Sequence, residues 1–299
     1  MSGGFHNADF PMDDQGRTYH LMVKRGDVAN RILTVGDTHR ATALAKYLEN
    51  VHKVEASRHF ITYTGHYHGT PLTIVASLMG YPNTDFVVRE FRAVTDGPLY
   101  FIRFGTCGTP DPNLRIGDLA VGRDAAGIIR NPDAFRAPQA DPRAYYHITL
   151  PVPADQTLYN HMLAHLRANH PDVVPRIREG TALSGCSFFS SQGRPDSHFT
   201  DHNESMLTRI TTEMPHTVSI EMETFHLYDL ADVSVGHSVH AFGCAMIIAE
   251  RSNKNFVTPA EKERLVTAWG IPLLDAIAAI PIPHEEEMHG PECCWNKAN

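Results

Sequence analysis

Arg103 interrupts an otherwise apolar run, Leu99-Tyr100-Phe101-Ile102-Arg103-Phe104, just before Gly105-Thr106-Cys107-Gly108. A guanidinium in such surroundings needs an anionic partner, because a charge taken out of water without one is costly. Two outcomes are open. One is a buried salt bridge. The other is an anion site in which Arg103 and Thr106 hold a phosphate while Gly105 and Gly108 let the backbone approach. Gly36-Asp37-Thr38-His39-Arg40 offers a second anion-binding element. It reads as a glycine turn from strand to helix, with free N–H groups at the helix start and an arginine in the first turn. Taken alone, that motif is more often a plain turn with a solvated arginine.

Ser219-Ile220-Glu221-Met222-Glu223 sets two carboxylates around a methionine at a strand end. Carboxylates are strong acceptors for the vicinal hydroxyls of a sugar, and the bland alternative is one solvated glutamate beside a core methionine. The segment from Phe188 to Arg194 adds an aromatic face, a side-chain amide at Gln192 and a donor at Arg194. An amide presents donor and acceptor together, which suits the edge of a planar heterocycle, and Phe188 can stack on its face. An anion site, a diol site and an edge reader together describe a nucleoside plus phosphate.

These residues fall at the ends of β-type runs that alternate with helical stretches. Strands are expected at 31–35, 58–64, 72–76, 99–104, 119–121, 179–189, 218–220 and 239–249, and helices at 38–50, 83–94, 156–168, about 224–232 and 259–280. Residues 123–153, rich in Pro, Ala, Asp and Arg, read as a surface excursion. His66 and His68 alternate on a hairpin and read as ordinary strand residues. The fold class expected is α/β: a single domain with a central mixed β-sheet flanked by helices, and ligands beyond the carboxyl ends of strands. Its bounds are 18–280, after an N-terminal extension (1–17) and before a polar, partly mobile C-terminal tail (281–299).

Composition narrows the partners. The 299 residues carry 26 Lys+Arg against 34 Asp+Glu, a net charge of −8, which argues against a nucleic-acid or membrane-surface binder. No apolar run is long enough to span a membrane, and the start MSGGFHNADF lacks the pattern of a secretory signal, so a cytoplasmic location is expected. Five scattered cysteines do not form a disulfide framework. His284, Glu285, Glu286, Glu287, His289, Cys293 and Cys294 crowd the tail without a zinc-ligand spacing, so no metal site is expected.

The order GDxxR (Gly36 to Arg40), RxGTxG (Arg103 to Gly108), FxxxQxR (Phe188 to Arg194) and EMET (Glu221 to Thr224) resembles the nucleoside phosphorylase-I superfamily, and within it the uridine phosphorylase group, over roughly residues 18–280. The resemblance implies reversible phosphorolysis of uridine to uracil and ribose 1-phosphate, with phosphate as co-substrate and no cofactor. It implies phosphate binding by Gly36, Arg40, Arg103 and Thr106, joined by Arg58 from a neighbouring subunit. It implies ribose binding by Glu221, Met222 and Glu223, with His20 reaching the 5′-hydroxyl across a dimer interface. The base pocket would comprise Gly108, Phe188, Gln192 and Arg194, with Arg251 near the base where related purine enzymes carry an aspartate. Arg103, Gln192, Arg194 and Glu223 would be the catalytic set. A purine nucleoside phosphorylase, a nucleosidase of the same fold and a non-catalytic nucleoside binder are the alternatives. Several positions depart from the pattern. Thr38-His39 stands for Pro-Asp, Cys107 for a threonine and Ser190-Ser191 for Pro-Gly. His59 stands for a glutamate that serves an interface cation. A homodimer with shared sites, or a higher oligomer, is the implied assembly.

Overall fold

The run beginning at Leu99 is a long, almost wholly buried strand in the computed structural model, which describes residues 4–137 and 141–296. Nine principal strands are β1 (Arg31–Val35), β2 (Glu49–Glu55), β3 (Ile61–Tyr67), β4 (Thr70–Ala76), β5 (Leu99–Thr109), β6 (Leu119–Arg130), β7 (Ile177–Gly185), β8 (Thr217–Glu221) and β9 (Val239–Glu250). They join one mixed sheet in the order β9-β6-β7-β8-β5-β1-β4-β3-β2. β5 also pairs in parallel with β9, so β5, β9, β6, β7 and β8 close into a ring. β1 runs parallel to β5, with Leu33 opposite Ile102. β8 meets β5 antiparallel at Ile220 and Gly108, which brings the carboxyl ends of both strands to one place.

Helices α1 (Thr38–Ala45), α2 (Tyr81–Val94), α3 (Gln156–Asn169), α4 (Met206–Glu213), α5 (Thr224–Asp232) and α6 (Pro259–Ala278) flank the sheet. Local chemistry sets their starts. The Asp37 carboxylate accepts from Arg40 N at 2.8 Å and caps α1. Thr258 accepts from Glu261 N at 3.2 Å, and Pro259 occupies the first turn of α6, where a missing N–H costs nothing. Leu265, Trp269, Leu273 and Ile277 form the buried stripe of α6 against a core that includes Ile32, Leu33, Phe101, Phe104, Phe242 and Met246. No helix among the described residues is long and apolar enough to cross a membrane.

The α/β class, the single mixed sheet and the flanking helices are as expected, and several boundaries differ. Helix α1 stops at Ala45, five residues short of the expected end at Asn50, and 49–55, of which 51–55 carry no expected element, is a strand paired with β3. Residues 123–130 are not surface excursion but the second half of β6, paired with β7 and with Tyr146–Ile148. Polar Arg123 and Asp124 at the middle of that strand obscure its apolar continuation, Ala125 to Ile129. The excursion shrinks to 131–145, of which 138–140 lie outside the described residues. The hairpin turn is tight at His68-Gly69, so Gly65 and His66 belong to β3, and His68 is a turn residue. β5 does not stop at Gly105 but continues through the glycine-rich segment to Thr109. β7 ends at Gly185, four residues short of the strand end expected at Phe189.

The C-terminal segment is docked rather than mobile. Met288, Cys293 and Trp295 are buried and pack with Ala29. Met288 N donates to Asn30 Oδ1 at 2.7 Å, and Arg31 donates to the Ile280 carbonyl and pairs with Glu287. Burial of this apolar group makes the segment part of the core, so Trp295→Ala should destabilise the fold by about 3–5 kcal/mol. Equilibrium urea unfolding checks this; an unchanged midpoint would show that the docking contributes nothing.

Candidate active site

The carboxyl ends of β1, β5, β8 and β9 surround a cavity of about 290 Å³. Among its walls are Gly36, Arg40, Arg103, Thr106, Gly108, Phe188, Gln192, Arg194, Glu221, Met222 and Glu223. The four motifs, spread over almost 190 positions of sequence from Gly36 to Glu223, therefore share one hollow.

Arg103 is the hub. Its Nε donates to Glu221 Oε2 at 3.0 Å, and its Nη2 pairs with Glu223 Oε2. Its Nη1 is buried with no hydrogen-bond partner among the described residues. Gly105 makes room for this guanidinium, since a Cβ there would stand 2.8 Å from Arg103 Nη2. Arg40 is placed in the same way. Its Nη1 donates to the Phe104 carbonyl at 2.7 Å and its Nη2 to Asp37 Oδ2 at 2.8 Å, while its buried Nε has no partner among the described residues. A buried guanidinium donor without a partner is costly, and an anionic group is a strong acceptor for one. Of the two outcomes weighed for Arg103, the buried salt bridge is present, and Nη1 is left without a hydrogen-bond partner among the described residues.

Both carboxylates are buried, not one solvated and one bound. Glu221 ends β8 and accepts from Glu223 N and Thr224 N at 3.0 and 3.1 Å. Ser184 Oγ also donates to it. Glu223 begins α5 and accepts from Gly80 N at 2.6 Å. Burial raises the Glu223 carboxyl above the ordinary glutamate range; Arg103 opposes this and Glu221 adds to it. Burial also opposes the charge of Arg103, but Glu223 and Glu221 outweigh it and push that guanidinium up. Asp37 ends below its usual value, because Arg40 outweighs the burial that would raise it.

Phe188, Gln192 and Arg194 line the cavity beside the Glu221–Glu223 segment, with Gln192 Nε2 donating to the Glu221 carbonyl at 3.5 Å. Gln192 is buried, and Arg194 Nη2 donates to its Oε1 at 3.4 Å. The Arg194 guanidinium lies 4.0 Å above the Phe188 ring and donates to the Phe188 carbonyl at 3.1 Å. Burial, with Arg251 nearby, lowers Arg194 to about 10, so it stays charged at neutral pH. Phe188, Met79 and Phe256 leave an apolar rim at the mouth.

Three expected site residues lie elsewhere. Arg251 is behind the Gln192 turn, donating to the Gln192 and Gly193 carbonyls at 3.0 and 3.2 Å, so it holds the wall rather than lining it. His20 and Arg58 lie outside the cavity of their own chain, on one patch joined by Tyr19. Arg58 donates to Tyr19 Oη at 3.0 Å. His20 Nδ1 is 2.6 Å from Glu90 Oε1, with its ring stacked on Phe86. Residues that motif reading did not assign also line the cavity: Asp37, Met79, Cys107, Ile220, Ile248, Ala249, Phe256 and Lys262. Asp37 and Cys107 sat inside quoted motifs; Lys262 gives no sequence signal, because α6 brings it in from a distant part of the chain.

The sequence profile of the Phosphorylase superfamily matches residues 30–263. A uridine phosphorylase of Thermococcus kodakarensis is 27% identical over 266 residues, covering 88% of each chain. A DeoD-type purine nucleoside phosphorylase of Streptococcus uberis is 28% identical over 253 residues, covering 83% of this chain and 92% of the other. A solved structure from a study of two uridine phosphorylases of the oomycete Phytophthora capsici is 38% identical, with a TM-score of 0.87 over 93% of this chain and 100% of that one. With a match spanning most of its length and a fold to accord with it, this chain belongs to the phosphorylase superfamily and is a pentosyltransferase.

Proposed function

We propose that the protein is a uridine phosphorylase, catalysing uridine plus phosphate to uracil plus ribose 1-phosphate, reversibly. The observation that carries this reading is the meeting, in one cavity, of two buried arginines with open donors, a buried glutamate pair and the Phe188-Gln192-Arg194 wall. Phosphate binds to Arg40, Arg103, Thr106 and the Gly36 turn. Glu223, with Glu221 and Met222, fixes the ribose, its carboxylate accepting from sugar hydroxyls. The C1′–N1 bond breaks with its electron pair leaving on the base, and a phosphate oxygen forms the new bond to C1′. The departing uracil takes up one proton, the equivalent that monohydrogen phosphate gives up. Arg194 and Gln192 stabilise the charge that develops on the ring, which is preorganised electrostatic catalysis at the leaving group. Holding three groups in line supplies much of the remaining acceleration. No step calls for a cofactor.

The functional unit in this reading is a homodimer in which each copy contributes His20 and Arg58 to the other's site. Their position on one patch, apart from their own cavity, supports it. Similarity to a purine nucleoside phosphorylase keeps one rival in view. The 38% identity to a chain from a study of uridine phosphorylases, together with the amide-guanidinium wall, favours the pyrimidine. Initial rates with uridine and inosine at saturating phosphate decide between them. We expect kcat/KM for uridine to exceed that for inosine at least ~100-fold, about 2.7 kcal/mol of differential transition-state binding. Equal or inverted rates would reject the pyrimidine assignment.

A further inference from the structure

Far from the catalytic cavity, three segments converge on a second cluster of metal-binding side chains. Asp27, His52 and Cys294 each offer one ligand atom, and the three atoms lie within 4.8 Å of one another. Asp27 Oδ1 and His52 Nε2 are 3.6 Å apart. Tetrahedral zinc, with bonds of about 2.0–2.3 Å, holds its ligand atoms roughly 3.3–3.8 Å apart, so small side-chain rotations close the site. None of the three residues lines the catalytic cavity.

Backbone contacts hold these groups in place, and the Cys294 thiol lies 4.0 Å from the Asp27 carbonyl. Asp27 Oδ2 accepts from Lys24 N at 3.0 Å, which leaves Oδ1 for His52. The Asp27 carbonyl accepts from Thr64 Oγ1 at 2.7 Å, and Thr64 stands opposite His52 in the β2–β3 pair. Cys294 N donates to the Gly26 carbonyl at 2.8 Å. Gly26 has φ +87°, and a Cβ there would come within 2.5 Å of the Glu292 carbonyl oxygen, so the close approach of the C-terminal segment depends on glycine. Asp27 and Cys294 are buried, and His52 closes the cluster from the solvent side.

We propose that Asp27, His52 and Cys294, with a solvent molecule as the fourth ligand, form a zinc site that ties the docked C-terminal segment to strand β2. Thiolate, imidazole and carboxylate together suit zinc, a borderline-soft ion, better than calcium or magnesium, which prefer oxygen alone. On binding, the Cys294 thiol releases its proton to solvent and nothing is oxidised or reduced. Two anionic ligands then balance the charge of the ion, which matters because Lys24 and Lys53 border the same cleft. Lys53 is paired with Glu55 at 2.6 Å.

The test uses full-length protein stripped with a chelator and titrated with cobalt(II), then zinc. We expect about one cobalt per chain, with a thiolate-to-cobalt charge-transfer band and the intense visible bands of tetrahedral coordination. Zinc should displace it and raise the melting temperature. His52→Ala and Cys294→Ser should each lower affinity by more than the ~10–100-fold typical of outer-shell changes. Cys293→Ser and Cys186→Ser should keep the band. Exposed His52 makes its variant independent of any folding defect at Cys294. No band at stoichiometric cobalt, a band that survives both ligand variants, or a band lost only with Cys293 or Cys186 would each overturn the assignment.

Discussion

Arg103→Ala is expected to lower kcat/KM for phosphorolysis at least ~100-fold, roughly 2.7 kcal/mol, as for other losses of a charge-stabilising donor. The cause is twofold. The open Nη1 donor disappears, and Glu221 and Glu223 lose the cation that neutralises them. Uncompensated, two buried carboxylates repel the incoming phosphate and each other. The same substitution threatens folding, so Arg103→Lys belongs beside it: the charge is kept, but a single ammonium lacks the guanidinium fork that spans both carboxylates while facing a phosphate. The lysine variant should fold, by circular dichroism and melting, and still lose most of its activity. Normal turnover by a folded Arg103→Lys enzyme would remove Arg103 from the phosphate site. The pair also tests shared sites. Mixed with inactive Arg58→Ala chains, Arg103→Ala chains should regain activity, because one of the two sites in a mixed dimer would be complete. Confirmed mixed dimers without activity would show that Arg58 serves its own chain or none.

Gln192→Ala should reduce kcat/KM for uridine by about 100-fold while phosphate affinity changes little. The side chain is buried, its Nε2 donates to the Glu221 carbonyl at 3.5 Å, and its Oε1 accepts from Arg194. Removing it takes away the amide edge and loosens the guanidinium beside it, so the charge on the leaving ring meets a less ordered dipole. The arginine-lined end of the cavity is untouched, and phosphate binding by calorimetry should therefore stay near the wild-type value. An unchanged uridine rate would place the base elsewhere; equal losses of phosphate and uridine binding would point to collapse of the whole cavity.

The site motifs were legible through their order along the chain, and three of them also carry residues that stand out from their local element. A lone arginine in an apolar strand, a glycine at a strand end and paired glutamates ahead of a helix are poor choices for packing alone. What the sequence concealed was longer in range. Strand β2 has no sequence signature beyond Asn50, because its mostly exposed residues Glu49–Glu55 show no apolar alternation and only pairing with β3 makes the strand. β6 reads as ending at Val121 because Arg123 and Asp124 interrupt its apolar pattern. The C-terminal segment reads as mobile because its charged residues outnumber the few anchors, Met288, Cys293 and Trp295, that bury it. Asp27, His52 and Cys294 have no spacing to recognise, and only the docking of that segment brings them together. Arg251, expected near the base, donates instead to the Gln192 and Gly193 backbone carbonyls, contacts that no motif encodes.

In the proposed reaction, phosphate held in this cavity is the nucleophile. Phosphorus NMR of the reaction with uridine, run alongside uracil absorbance, tests it. The account predicts one ribose 1-phosphate for each uracil released, and negligible uracil when phosphate is withheld. Uracil released at the same rate without phosphate, with free ribose as the other product, would contradict it.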